Sequence, residues 1–127
     1  MRPLLVFIRG HWLPLSALLL ATITALSLWP ISSLPDVPGN DKLHHYIAYT
    51  ALMLPAALRR PENRLRIALF FLVWSGAIEL IQPYVSRYGE WLDLGANAIG
   101  LASGLLLAAL IRHWLPDEAP CESEGRQ

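Results

Sequence analysis

Residues 67–85 read IALFFLVWSGAIELIQPYV, an apolar run whose only charged side chain is Glu79. At a rise of about 1.5 Å per residue, a helix over this run is about 28 Å long, close to the thickness of a bilayer's hydrocarbon core. Working outward, three more stretches fit the same reading. Residues 92–110 form a fourth span, opened by Asp93 and ended near Pro116; residues 43–58 form a short second span that needs Lys42 and Arg59 to snorkel. Residues 12–31 carry no charge and form the first. Arg2 and Arg9 ahead of that first run resemble the basic region of a secretory signal, but a signal's apolar part is about 7 to 15 residues and ends at a small-x-small site. Here the run continues through Leu28, Trp29 and Pro30, so it reads as an uncleaved anchor.

Composition agrees with a lipid solvent. The 127 residues are 54% hydrophobic and 16% charged, more apolar than an ordinary water-soluble domain of this size. Ten basic residues balance ten acidic ones, so no net positive charge argues for nucleic acid. The single cysteine, Cys121, excludes both an internal disulfide and a cysteine-rich metal site. The expected fold is therefore an all-α membrane protein: one four-transmembrane-helix bundle over residues 1–115, with a disordered cytoplasmic tail over 116–127. A proline- and glycine-bearing turn, LPDVPGN at 34–40, separates the first two spans.

Basic residues set the orientation. Arg2, Arg9, Arg59, Arg60, Arg64, Arg66, Arg112 and Arg126 fall on one side of this arrangement, and only Lys42 and Arg87 on the other. Basic residues in short loops stay cytoplasmic, so both termini and the RRPENRLR loop are expected inside. The bulk of Trp12, Trp29, Trp91 and Trp114 near span ends suits aromatic-belt anchors.

The polar residues form stripes at about 100° per residue. Asp41, His45 and Tyr49 share one face of the second span, with His44 turned away by about 100°. Ser75, Glu79, Gln82 and Ser86 share a face of the third; Asp93 and Asn97 lead into Gly100 and Gly104 on the fourth. Glu79 sits six residues before Val85, about 9 Å below the outer boundary, and the other stripes reach a similar depth. A charge near mid-membrane on a lone helix costs about 2.5 to 3.5 kcal/mol, so Glu79 is expected to face the other helices. Its role stays open between a hydrogen-bonding keystone and a functional acid, as Asp41 does between capping its helix and orienting His45. Small residues allow close helix approach, so Gly100-x-x-x-Gly104 fits packing within the bundle, with a homodimer as the alternative.

Asp41-Lys42-x-x-His45-x-x-x-Tyr49, Glu79-x-x-Gln82, Arg87 and Asp93-x-x-x-Asn97-x-x-Gly100 together resemble the signature of the VanZ-like family of small bacterial membrane proteins, over about residues 35–104. The resemblance implies a multi-pass protein of the bacterial inner membrane, in a family whose founding member is associated with reduced susceptibility to teicoplanin. It brings no reaction and no cofactor with it. On the residues themselves, Lys42 and Arg87 are the only outward cations and border the polar layer, which suits the phosphate of a lipid or cell-wall-precursor headgroup. The alternative is a membrane-embedded enzyme with Glu79 and His45 as a proton-transfer pair. Asp41, His45, Glu79 and Asp93 have metal-binding donor atoms, but no two-histidine motif accompanies them, so no metal is expected. No serine lies in a nucleophile elbow.

These readings generate a topology. A reporter enzyme fused after Arg126 should register cytoplasm and one inserted at Gly39 the outer side, and the mature chain should keep its first residues. The reverse reporter pattern, or a mature chain starting beyond Trp29, would refute it.

Overall fold

The computed structural model describes residues 2–29, 41–59, 62–85 and 91–115. These form α1 (Arg2–Gly10), α2 (Trp12–Leu28), α3 (Asp41–Arg59), α4 (Arg64–Ile81) with a 3₁₀ turn (Gln82–Val85), and α5 (Trp91–Trp114); no strand occurs among the described residues. The turn at 34–40, Arg87 and the tail at 116–127 lie outside them.

Local chemistry explains the breaks. Pro14 lies four residues after Gly10, so a continuous helix would press the pyrrolidine ring onto the Gly10 carbonyl and lose that hydrogen bond. The chain instead bends by 76° between α1 and α2. Residues 2–10, read from sequence only as a basic leader, are thus a separate helix. Leu5 and Ile8 pack on the core while Leu4, Val6 and Phe7 stay exposed. At the far end of α4, Pro83 has no N–H to offer the Glu79 carbonyl, and the α-helix tightens into 3₁₀.

Side-chain contacts fix the directions. Trp74 Nε1 donates to Thr24 Oγ1 at 2.9 Å and Gln82 Nε2 to the Ser27 carbonyl at 3.1 Å, so α2 and α4 run the same way. His45 meets Asn97 at one end of the α3–α5 pair, and the Arg112 guanidinium donates to the Ala57 carbonyl at the other, so those two are also parallel. The result is an up-down-up-down bundle in which α3 and α5, not sequence neighbours, make the most extensive pairing. α3 supplies most of the core: Tyr49, Leu52, Met53, Ala56, Ala57 and Leu58 are all buried. Gly100 and Gly104 face it so closely that a Cβ on Gly100 would lie 2.6 Å from the Tyr46 carbonyl oxygen, and one on Gly104 2.8 Å from Met53 Cβ. Within one chain, α3 therefore occupies the glycine face.

Polarity is arranged inside-out. Ser75, Glu79, Gln82, Asp93 and Asn97 are buried, while Leu18, Leu69, Val73, Leu80, Ile99 and Leu106 are exposed. Two helical stretches, Arg64–Tyr84 and Trp91–Trp114, are long and apolar enough to cross a membrane, and α1 with α2 would make a third only if the bent pair counts as one span. α3 carries Lys42, His44, His45 and Arg59 and is less apolar than α2, α4 or α5, in keeping with its place against all four other helices.

Close packing at the glycine face makes a measurable difference between positions. Gly104→Ala should lower unfolding stability in detergent by about 1 to 3 kcal/mol, as overpacking does. Gly95→Ala, where an added Cβ meets nothing within 4 Å, should be neutral or stabilising by up to about 1 kcal/mol.

Candidate functional site

One end of the bundle gathers polar side chains from α3, α4 and α5. Each helix contributes an i, i+4 pair: His45 and Tyr49, Ser75 and Glu79, Asp93 and Asn97. Such pairs sit one above the other on a helix face. The parallel course of α3 and α5, with α4 antiparallel to both, brings the three pairs to one level.

Asn97 joins the three helices. Its Oδ1 lies 3.0 Å from His45 Nδ1 and its Nδ2 donates to Ser75 Oγ at 2.5 Å. Asn97 is 1% exposed, so these bonds satisfy an amide that lipid or core could not. The Ser75 and Tyr49 hydroxyls are hydrogen-bonded in turn. An amide oxygen can only accept, so His45 Nδ1 carries a proton, and the ring's other nitrogen, Nε2, faces Asp93. His45 Nε2 lies 3.8 Å from Asp93 Oδ2, longer than a hydrogen bond. One ligand atom from each of His45, Glu79 and Asp93 lies within 4.8 Å of the other two. Both carboxylates are buried at 6% exposure; His45 is half-buried and forms the accessible edge.

The site residues expected from sequence divide accordingly. His45, Tyr49, Glu79, Asp93 and Asn97 come together. Gln82 is buried but donates to α2 through Ser27, being about 60° around α4 from Glu79. Lys42 stands one turn before His45, half-buried. His44 is half-buried, and its offset of about 100° on the helix separates it from the stripe that His45 shares with Tyr49. Asp41 begins α3, its side chain outside the described set along with Arg87. Sequence reasoning did not anticipate Tyr46 OH donating to Ser103 Oγ at 3.0 Å, Trp74 to Thr24, or Arg112 to Ala57. Each links distant helices, and no local spacing announces it.

The central bond can be measured by a double-mutant cycle. His45→Ala and Asn97→Ala should couple by about 0.5 to 1.5 kcal/mol in detergent unfolding, the range of interhelical hydrogen bonds. His44→Ala and Asn97→Ala should combine additively. Equal coupling in both cycles would mean that the His45 bond contributes nothing specific.

Compared with protein-family models, with curated proteins and with solved structures, the chain matches none of them. The functional reading therefore rests on the residues and their geometry.

Proposed function

We propose that this chain is a four-span, VanZ-like protein of the bacterial cytoplasmic membrane, with both termini inside, whose outward polar cluster binds the headgroup of an envelope lipid or cell-wall precursor. The observation that carries the reading is the convergence of six polar side chains from three helices at the end of the bundle opposite the arginines. Arg59 ends α3, Arg64 and Arg66 open α4, and Arg112 closes α5, all at the other end. With those arginines held at the cytoplasmic face, the cluster opens to the outer leaflet. α1 then lies along the inner surface, its exposed Leu4, Val6 and Phe7 among the acyl chains, as interfacial helices do.

Depth and access favour a headgroup over a transported solute. Asp93 lies two residues into α5 and His45 four into α3, which is about 3 to 6 Å of helix from the outer end. His45 and Lys42 meet a ligand at the rim, while Glu79, Asp93 and Asn97 hold the floor. The carboxylates alone would repel a phosphate, so the anion is met by Lys42 and by Arg87.

A second reading, catalysis on such a lipid, is favoured by the proximity of the His45, Glu79 and Asp93 ligand atoms. A base and an acid at that range can move a proton on a bound headgroup.

Gentle extraction of the chain followed by mass spectrometry of its lipids separates these readings. A bound, unaltered phospholipid or precursor enriched over the bulk membrane supports binding, and a chemically altered one supports catalysis; bulk lipid alone would overturn both. Glu79→Gln keeps size and hydrogen bonding while removing a charge that is costly to bury, so the variant should insert normally and be as stable or more so. It should nevertheless lose lipid enrichment. His45→Gln should lose it too, with the double variant little worse than either, since groups acting as one unit are non-additive. His44→Gln should be mild.

A further inference from the structure

We infer that His45, Glu79 and Asp93 form a binding site for one divalent transition-metal ion of the Zn²⁺ or Mn²⁺ type. The site does not depend on the headgroup reading. Three observations carry it. First, the donor atoms of one imidazole and two carboxylates, each from a different helix, lie within 4.8 Å of one another. Second, the His45 Nε2–Asp93 Oδ2 distance of 3.8 Å is too long for a hydrogen bond. It falls where two ligands sit across an ion: with metal–ligand bonds of about 2.1 Å, their separation is about 3.4 Å at a tetrahedral angle and about 4.2 Å at 180°. Third, metal-binding histidines characteristically hold the other ring nitrogen against an oxygen acceptor, which fixes tautomer and orientation. His45 Nδ1 is held in that way by Asn97 Oδ1 at 3.0 Å, and Asn97 is itself anchored on Ser75.

Charge and surroundings agree with that geometry. Glu79 and Asp93 are both buried, so their ionised carboxylates favour a cation close by, and a dication can serve both at once. One nitrogen with two oxygen donors selects for borderline transition ions over Mg²⁺ or Ca²⁺, which prefer an all-oxygen shell. Three protein ligands leave further coordination positions on the half-buried His45 side, where water or an anionic oxygen of an incoming ligand can bind. Gln82 lies three residues beyond Glu79, 1% exposed, and its amide oxygen accepts no hydrogen bond from the described residues. The ligands are nonlocal, one per helix, so no spacing motif marks them.

The test uses the full chain, purified in detergent, stripped with chelator and titrated with Mn²⁺ under electron paramagnetic resonance and with Zn²⁺ and Mg²⁺ by calorimetry. The expected result is one Mn²⁺ or Zn²⁺ per chain, with Mg²⁺ at least about 10-fold weaker and a nitrogen coupling on bound Mn²⁺ from the His45 imidazole. His45→Gln should abolish that coupling, and His45→Gln and Asp93→Asn should each weaken binding at least about 100-fold. Asn97→Ala, which only releases the ring, should weaken it about 10- to 100-fold. His44→Gln and Glu62→Gln should leave it unchanged. Absence of saturable binding by the folded chain, or saturable binding without nitrogen coupling, would overturn the site. So would affinity that survives both His45→Gln and Asp93→Asn, since the ion would then lie elsewhere. The coupling is read on the unaltered chain, so it decides even where a variant fails to insert.

Discussion

The close approach of α3 and α5 is the constraint on which the rest of this structure depends. A Cβ at Gly100 would overlap the Tyr46 carbonyl oxygen, so the two backbones touch where any larger residue would hold them apart. Parallel helices this close have aligned ends, and at one end that alignment sets His45 against Asn97 at 3.0 Å. At the other it brings Arg112 to the Ala57 carbonyl, one of the terminal carbonyls that the helix cannot satisfy itself. Separating the helices by the width of one methyl group would break both ends at once. The polar site is thus a consequence of packing a few turns away.

In a lipid solvent, exposed leucines gain nothing by burial, and helix association relies on van der Waals contact and hydrogen bonds. α3 shows what that does to sequence. Surrounded by the other helices, it has less need of an apolar surface and tolerates Lys42, two histidines and Tyr49. α4 and α5, with Leu69, Val73, Leu80, Ile99 and Leu106 exposed, keep the apolar runs. Among the four longer helices, α2 to α5, the least hydrophobic is accordingly the one richest in core contacts, the reverse of the rule in water.

Much of this is legible in the sequence, for identifiable reasons. Charge-free runs mark the helices because the cost of burying charge in lipid is large and one-signed. The i, i+4 polar pairs are visible because helical periodicity is a local property. The bend at His11 escapes that reading: the basic residues of the first turns resemble a leader, and the physical signal is the four-residue spacing of Gly10 and Pro14. Gln82 shares a stripe with Glu79 on a wheel, yet an offset of about 60° is enough for α2 to claim it. Which stripes meet depends on the relative heights of helices far apart in sequence, as with His45 and Asn97, which are 52 positions apart. No local pattern encodes that.

The same distinction governs the metal question. A search for two histidines at helical spacing tests only sites whose ligands come from one helix. In a bundle, three helices can each supply one donor at a common level, and the preparation for binding then lies in the partners of those donors. Asn97 is the informative residue. An amide that serves only to glue α5 to α4 needs just its bond to Ser75. The second bond, to His45 Nδ1, holds the ring with Nε2 on the side of Asp93, an acceptor when ionised. Electron-rich atoms facing one another in a poorly hydrated place draw positive charge toward them. The 3.8 Å between His45 Nε2 and Asp93 Oδ2 is wider than a hydrogen bond and within the span of two ligands on one ion. A metal ion reaches all three.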